Sequence, residues 1–229
     1  MIHSDHQFPV IKKGELSEVF LAELAAMILE RTTSDGRLVI AIVGAPGCGK
    51  STATDALEVL LAQNKEIKVQ VVPMDGFHYD NAMLEQLGMT QKKGAPETFD
   101  VGGLDAALKR LTDKNQTESI AVPVFDRNRD ISLACARLID KKMTVLLIEG
   151  NYLLLKDGPW SHLKKYFDLS VMIPCDEVIL RARLISRWKN LNYNNNNSTI
   201  KVEQNDMPNA KLIVQESCSA DVNLKWNKS

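Results

Sequence analysis

The run Gly44-Ala45-Pro46-Gly47-Cys48-Gly49-Lys50-Ser51 fills every fixed position of the pattern G-x-x-x-x-G-K-S/T, a spacing that binds phosphate. Gly44, Gly47 and Gly49 let the backbone curl with its N–H groups turned inward around anionic oxygens, and a helix starting just after them adds partial positive charge. Lys50 is placed to reach β- and γ-phosphates, and the Ser51 hydroxyl to ligate Mg2+. A nucleoside triphosphate is therefore the expected ligand of Gly44, Ala45, Pro46, Gly47, Cys48, Gly49, Lys50, Ser51 and Thr52. Cys48 sits at a permissive position of the loop, where a redox role would require a low thiol pKa.

Two acids follow apolar runs and so fall just past the C-terminal ends of expected strands, the edge at which parallel α/β sheets bind ligands. Ile67, Val69 and Val71 lead into Pro73-Met74-Asp75-Gly76, and Val145 to Ile148 leads into Glu149-Gly150. Phosphoryl transfer to an alcohol needs a base to orient the hydroxyl and take its proton, with a metal anchor and cations for the spread negative charge. Asp75 suits the base, and Glu149 the acid that contacts Mg2+ directly or through water. The competing roles are a turn cap for Asp75 and a buried carboxylate held by a loop amide for Glu149. His78 and Tyr79 are candidates for contacting a substrate hydroxyl, with a packed and satisfied histidine ring as the alternative.

Positioning these groups calls for alternating strands and helices. Leu38 to Val43 is a continuous apolar run suited to a buried parallel strand, and Thr52 to Leu61 has helical spacing. Further strands are expected at Ile120 to Val124, short or at an edge because of Pro123, and at Val145 to Ile148, Leu169 to Ile173 and Ala220 to Leu224. A packing helix is expected at Glu15 to Arg31, with Leu16, Val19, Phe20, Leu24, Met27 and Ile28 on one face. Others are expected at Asn81 to Leu87, Leu104 to Leu111 and Asp176 to Trp188, while Lys211 to Val214 fits a helix or a strand. The stretch Leu191 to Ser198, with its asparagine tract, lacks hydrophobic periodicity and reads as a solvent-exposed loop outside the catalytic elements. This alternation implies an α/β fold with crossovers and a mostly parallel sheet.

At 229 residues, 45 % of them hydrophobic, the chain is long enough for one large α/β domain with an inserted lid. Its 28 basic and 29 acidic residues give a net charge of −1, which argues against nucleic-acid partners. No stretch reaches the length of an apolar membrane span, and Met1 to Val10 lacks a signal-peptide core, so a soluble cytoplasmic protein is expected. The cysteines at 48, 135, 175 and 218 form no C-x-x-C pair, which fits reduced thiols better than disulfides or zinc.

Together, Gly44 to Ser51, Met74-Asp75-Gly76-Phe77-His78, Lys93 to Asp100 and Ile148-Glu149-Gly150 resemble the P-loop small-molecule kinases that include uridine kinase, phosphoribulokinase and bacterial pantothenate kinase. The nearest likeness is to a nucleoside- or sugar-kinase-like branch, over roughly Leu38 to Leu224 and in the family's motif order. Gly94 to Asp100 is similar to the G-x-P-E-S-Y-D stretch of pantothenate kinases, with Thr98 for Ser and Phe99 for Tyr, a lost phenolic hydroxyl that bars carrying over the substrate. The resemblance implies a P-loop NTPase three-layer αβα sandwich with a helical lid at about 176–206, in a single domain over 1–229. It also implies that Asp75 matches the catalytic aspartate, Glu149 the metal-associated glutamate, and Arg183 and Arg187 the lid arginines. Asp126, Arg127, Arg129 and Asp130 lie where such kinases contact the acceptor; the arginines there grip an anionic acceptor, or the aspartates accept from sugar hydroxyls while the arginines hold them, with a solvated charged loop as the competing reading.

The expected activity is ATP-dependent phosphorylation of a hydroxyl on a nucleoside, a pantothenate-like acid or a sugar, with Mg2+ and with room for a homodimer. The alternative is a nucleotide-dependent regulatory NTPase that binds a protein partner.

Overall fold

The computed structural model describes residues 17–33, 36–191 and 194–224. Strand β1 (Leu38–Val43) lies at the middle of a parallel five-stranded sheet. Its apolar run has no alternation because both faces are covered: Val39, Ile40, Ala41, Ile42 and Val43 are all buried. Each such side chain contributes about 1.5–3 kcal/mol by leaving water. Around it stand β2 (Val69–Pro73), β5 (Val145–Gly150), β6 (Leu169–Met172) and β7 (Val222–Asn223), in the order β2-β5-β1-β6-β7. A separate antiparallel ribbon pairs β3 (Ile120–Asp126) with β4 (Ile131–Ile139). The ribbon departs from expectation, because β4 follows a charge run and lacks strict alternation, and only its pairing to β3 makes it a strand. Pro123 does not shorten β3, but the strand does lie at an edge, as expected, and the register shifts between Val122 and Val124, which is how a strand absorbs a residue that cannot donate.

The helices are α1 (Glu18–Arg31), α2 (Lys50–Leu61), α3 (Asn81–Gln86), α4 (Val101–Thr112), α5 (Glu177–Asn190), α6 (Asn195–Lys201) and α7 (Met207–Glu216). In α1 the buried stripe is Leu21, Leu24, Ala25 and Ile28, a regular i, i+3, i+4, i+7 ridge. The expected face is thus turned: Val19 is exposed, Phe20 and Met27 are only partly covered, and Glu15 and Leu16 lie outside the described residues. The asparagine tract is also corrected. Asn194 caps α6 by accepting from the Asn197 N–H at 2.8 Å, the role for which asparagine is well suited, while residues 192–193 lie outside the described residues. From α6 the chain passes through a π-helical turn at Val202–Asp206 into α7, which settles Lys211 to Val214 as helix. Pro208, at the start of α7, has no N–H for the ladder, and the widened turn absorbs that loss. Among the described residues no helix is long and apolar enough to cross a membrane.

The ribbon crosses over the loop that follows β2. A Cβ at Gly76 would lie 2.6 Å from the Pro123 carbonyl carbon and closer still to its oxygen, so only glycine lets the two backbones meet there. Gly76→Ala is expected to destabilise the fold by about 1–3 kcal/mol. A urea midpoint equal to that of the wild type would show that the contact does not hold the ribbon.

Candidate active site

The phosphate-binding loop follows from local backbone demands. Gly47 and Gly49 have φ of 79° and 101°, and a Cβ on Gly44 would lie 2.6 Å from both the Cys48 Sγ and the Ile173 carbonyl oxygen. Lys50 is buried and its Nζ donates to the Ala45 carbonyl at 3.0 Å, so the loop is closed around its own lysine at the start of α2. Cys48 is fully buried, and burial pushes its thiol up against the pull of Lys50. That is the opposite of the low pKa a redox role needs.

Strand register brings the two acids to this loop. Glu149 on β5 stands opposite Ile42 of β1 on one side and Pro73 of β2 on the other, and Asp75 follows two residues after Pro73. The Ser51 hydroxyl donates to Glu149 Oε1 at 2.9 Å. Burial pushes the Glu149 carboxyl above its ordinary range, although Lys50 and Ser51 pull it down. A cation beside it would relieve that cost, and a hydroxyl with a carboxylate is the hard-oxygen donor set that suits Mg2+.

Asp75 has a different environment. Arg127, at the end of β3, donates through Nη2 to Asp75 Oδ2 at 2.6 Å. Burial acts to raise this carboxyl, but Arg127, then His78, Lys50 and Arg187, outweigh it and hold Asp75 below the usual carboxylate range. The His78 ring packs against Phe99 and Phe125, with centroids 4.0 and 4.6 Å away, and its Nδ1 donates to the Asp75 carbonyl at 2.7 Å. Both readings of His78 therefore meet in one side chain, since it is packed and also lines the cleft.

These groups open into one cleft of about 1460 Å³ that runs from the phosphate loop to α6. It brings together Lys50, Ser51, Thr52, Asp75, His78, Arg127, Glu149 and Arg187. Arg183 reaches the other side of the loop, with Nη1 3.4 Å from the Cys48 carbonyl. Arg187 is held below its ordinary pKa by burial and by the neighbouring Arg127. Of the residues expected to contact substrate, three lie outside the lining. Tyr79 is half-buried, Asp126 accepts the N–H groups of Asn128 and Arg129 to shape its own turn, and Arg129 is 70 % exposed. Phe99 is buried among His78, Tyr152 and Trp160, so the position that differs from pantothenate kinases does not face the cleft.

Sequence reasoning reached Asp130 but missed the rest of the far wall: Asn81, Lys93, Trp188, Lys201 and Asp206. Lys93 was quoted only as part of a motif. The π-helical turn, which buries Asn205 and Asp206, was signalled only by Pro208.

The His78 pKa is lowered by burial, against the pull of Asp75. Its folded value lies below the unfolded one, about 6.5, so the unfolded state binds more protons between the two. This stabilisation is complete above the unfolded pKa and is lost as pH falls from there through the folded one. His78→Gln is expected to flatten the fall in urea midpoint between pH 7 and 5.5; an equal fall in both proteins would remove His78 from that dependence.

Residues 39–226 match the phosphoribulokinase/uridine kinase family. The chain is 37 % identical to the uncharacterized Escherichia coli protein YggC over 69 % of its own length and 65 % of the relative's. It is 30 % identical to a Schizosaccharomyces pombe protein provisionally named a uridine kinase, over 89 % of each. Against a pantothenate kinase of Rhodopseudomonas palustris it is 34 % identical over 66 % of its length and spans 49 % of that enzyme's. Among solved structures, a protein from Silicibacter sp. TM1040 provisionally named a fructose transport system kinase superposes with a TM-score of 0.83 at 38 % identity, covering 90 % of this chain and 98 % of that one. The chain belongs to the phosphoribulokinase/uridine kinase family of P-loop kinases.

Proposed function

We propose that this protein transfers the γ-phosphoryl group of ATP to a hydroxyl of a small metabolite, with Asp75 orienting that hydroxyl and taking its proton. The observation that supports this best is the convergence of Lys50, the Ser51–Glu149 pair and Asp75 on one sheet edge, at the mouth of a cleft that extends well beyond the loop. A nucleotide switch that docks on a protein needs no such chamber.

Asp75 is held ionised by its cationic neighbours, so it is ready to accept a proton at neutral pH. A carboxylate with a low pKa is a weak base, but in a loose transition state the hydroxyl loses its proton late, and orientation matters more than basicity. Lys50 is placed for the β- and γ-phosphates, and its present acceptor, the Ala45 carbonyl, gives it a neutral partner to exchange. Arg187 and Arg183, one turn apart on α5, bring cations to the cleft and to the rim of the loop, where they would offset developing charge. Mg2+ held by Ser51 and Glu149 would supply charge neutralisation at the phosphates. The setting for this chemistry is the cytoplasm, where ATP is available.

Asp75→Asn keeps the shape and removes the base, so kcat should fall by about two to four orders of magnitude with ATP affinity little changed. Lys50→Ala should weaken ATP binding and abolish turnover. If Asp75→Asn loses ATP affinity instead, Asp75 belongs to the metal and its role exchanges with that of Glu149. Turnover near wild type in the Lys50 variant would overturn the role given to the phosphate loop.

A further inference from the structure

Beyond the phosphate loop, the cleft ends between Lys93, Asn81 and Asp130 on one side and Trp188, Lys201 and Asp206 on the other. Lys93 has a side chain only 11 % exposed, and its ammonium lies 5.2 Å from the Phe125 ring centroid. It donates to Asn81 Oδ1 at 2.6 Å, to the Asp130 carbonyl at 2.7 Å and to Asp130 Oδ2 at 2.9 Å. An ammonium has three donors and no acceptor. Lys93 therefore keeps none for a ligand; its work is to pin Asp130. Asn81 Nδ2 adds contacts at 3.2 Å to the same carbonyl and the same Oδ2. Asp130 is thereby fixed at φ 57°, with a carboxylate 59 % exposed in the cleft whose Oδ1 receives no donor among the described residues.

The opposite wall has the same character. Asp206 accepts the Trp188 Nε1–H at 2.6 Å through Oδ2. Lys201 donates to the Gln91 carbonyl at 3.2 Å and lies 5.7 Å from the Trp188 ring centroid. Near the rim, Lys92 is paired with Glu97 at 3.3 Å. The two arginines that the sequence offered for gripping an anion are engaged elsewhere, Arg127 with Asp75 at 2.6 Å and Arg129 with Asp126 at 3.6 Å outside the cleft. Lys92 and Lys93 each stand against a carboxylate, Lys201 is held between a backbone carbonyl and the Trp188 ring, and Asp130 and Asp206 present acceptor oxygens to the cleft beside that indole.

We propose that the acceptor is a neutral polyhydroxylated molecule whose hydroxyls donate to Asp130 and Asp206, and that this end of the cleft excludes carboxylates and phosphates. The inference rests on the kinase reading and names the substrate class for it. A site built to accept hydrogen bonds from hydroxyls rejects a group that brings only more acceptors, because both sets of oxygens are then left unpaired and the charges repel.

The test uses the full chain with Mg·ATP and measures ADP release with neutral hexoses, pentoses and nucleosides in one set, and with pantothenate, glycerate and sugar phosphates in another. Turnover is expected in the neutral set alone, its sugar and nucleoside members separating the two sources of the same hydroxyl chemistry. Asp130→Asn is a mild change, since asparagine tolerates positive φ, and an unchanged urea midpoint would establish that it folds. It should raise the KM of the neutral acceptor about tenfold or more without altering that of ATP, and Lys93→Met should do the same by releasing Asp130. Turnover on the anionic set alone, or an unchanged acceptor KM in folded Asp130→Asn, overturns this inference and leaves the kinase reading intact. ADP release with no acceptor of either set overturns both.

Discussion

Glu149 has two strand neighbours at once, Ile42 of β1 and Pro73 of β2, and the geometry of the site depends on that double pairing. Because β5 is hydrogen-bonded on both edges, it cannot slip relative to either partner without turning buried side chains to the other face of the sheet. The phosphate loop after β1, the acid at the end of β5 and the acid after β2 are therefore held at one height along the sheet edge. Their convergence is a property of the backbone, reinforced by the Ser51–Glu149 hydrogen bond.

Two carboxylates on that edge are driven in opposite directions. Burial dominates at Glu149 and raises its pKa, whereas at Asp75 the cations outweigh burial and lower it. The difference follows from Arg127, which reaches Asp75 from the β3–β4 ribbon. The ribbon sits there because Gly76 lets the Pro123 backbone approach. A glycine with no side chain to contribute thus sets the charge of its neighbour.

Much of the sheet was legible in the sequence because buried parallel strands are written as apolar runs: Leu38 to Val43 is a strand over just those residues. The strand-end positions of Asp75 and Glu149 followed from the same signal. The β3–β4 ribbon was harder, since Ile131 to Ile139 mixes exposed and half-buried positions without a clean period. Least legible were contacts between residues distant in sequence. Arg127 meets Asp75 across 52 positions, and Lys93 meets Asp130 across 37. Arg127 and Arg129 look alike in sequence, and only the fold shows that one turns inward to an acid and the other outward to solvent. The asparagine tract misled because low hydrophobicity was read as loop, while a single asparagine in the right place starts a helix.

The π-helical turn at Val202–Asp206 does more than accommodate Pro208. Asn205 donates from it to the Lys93 carbonyl at 2.9 Å, and Lys201, just ahead of it, donates to the Gln91 carbonyl at 3.2 Å. The far wall of the cleft is thus fastened to the chain between α3 and α4 by side chains gripping backbone oxygens, which offer the same carbonyl whatever residue carries them. The sheet edge is free of those fastenings. A substitution at Gln91 leaves its carbonyl in place for Lys201, whereas loss of Lys201 or Asn205 removes a fastening, so the shape of this end is set by which residues reach across and not by which residues they hold.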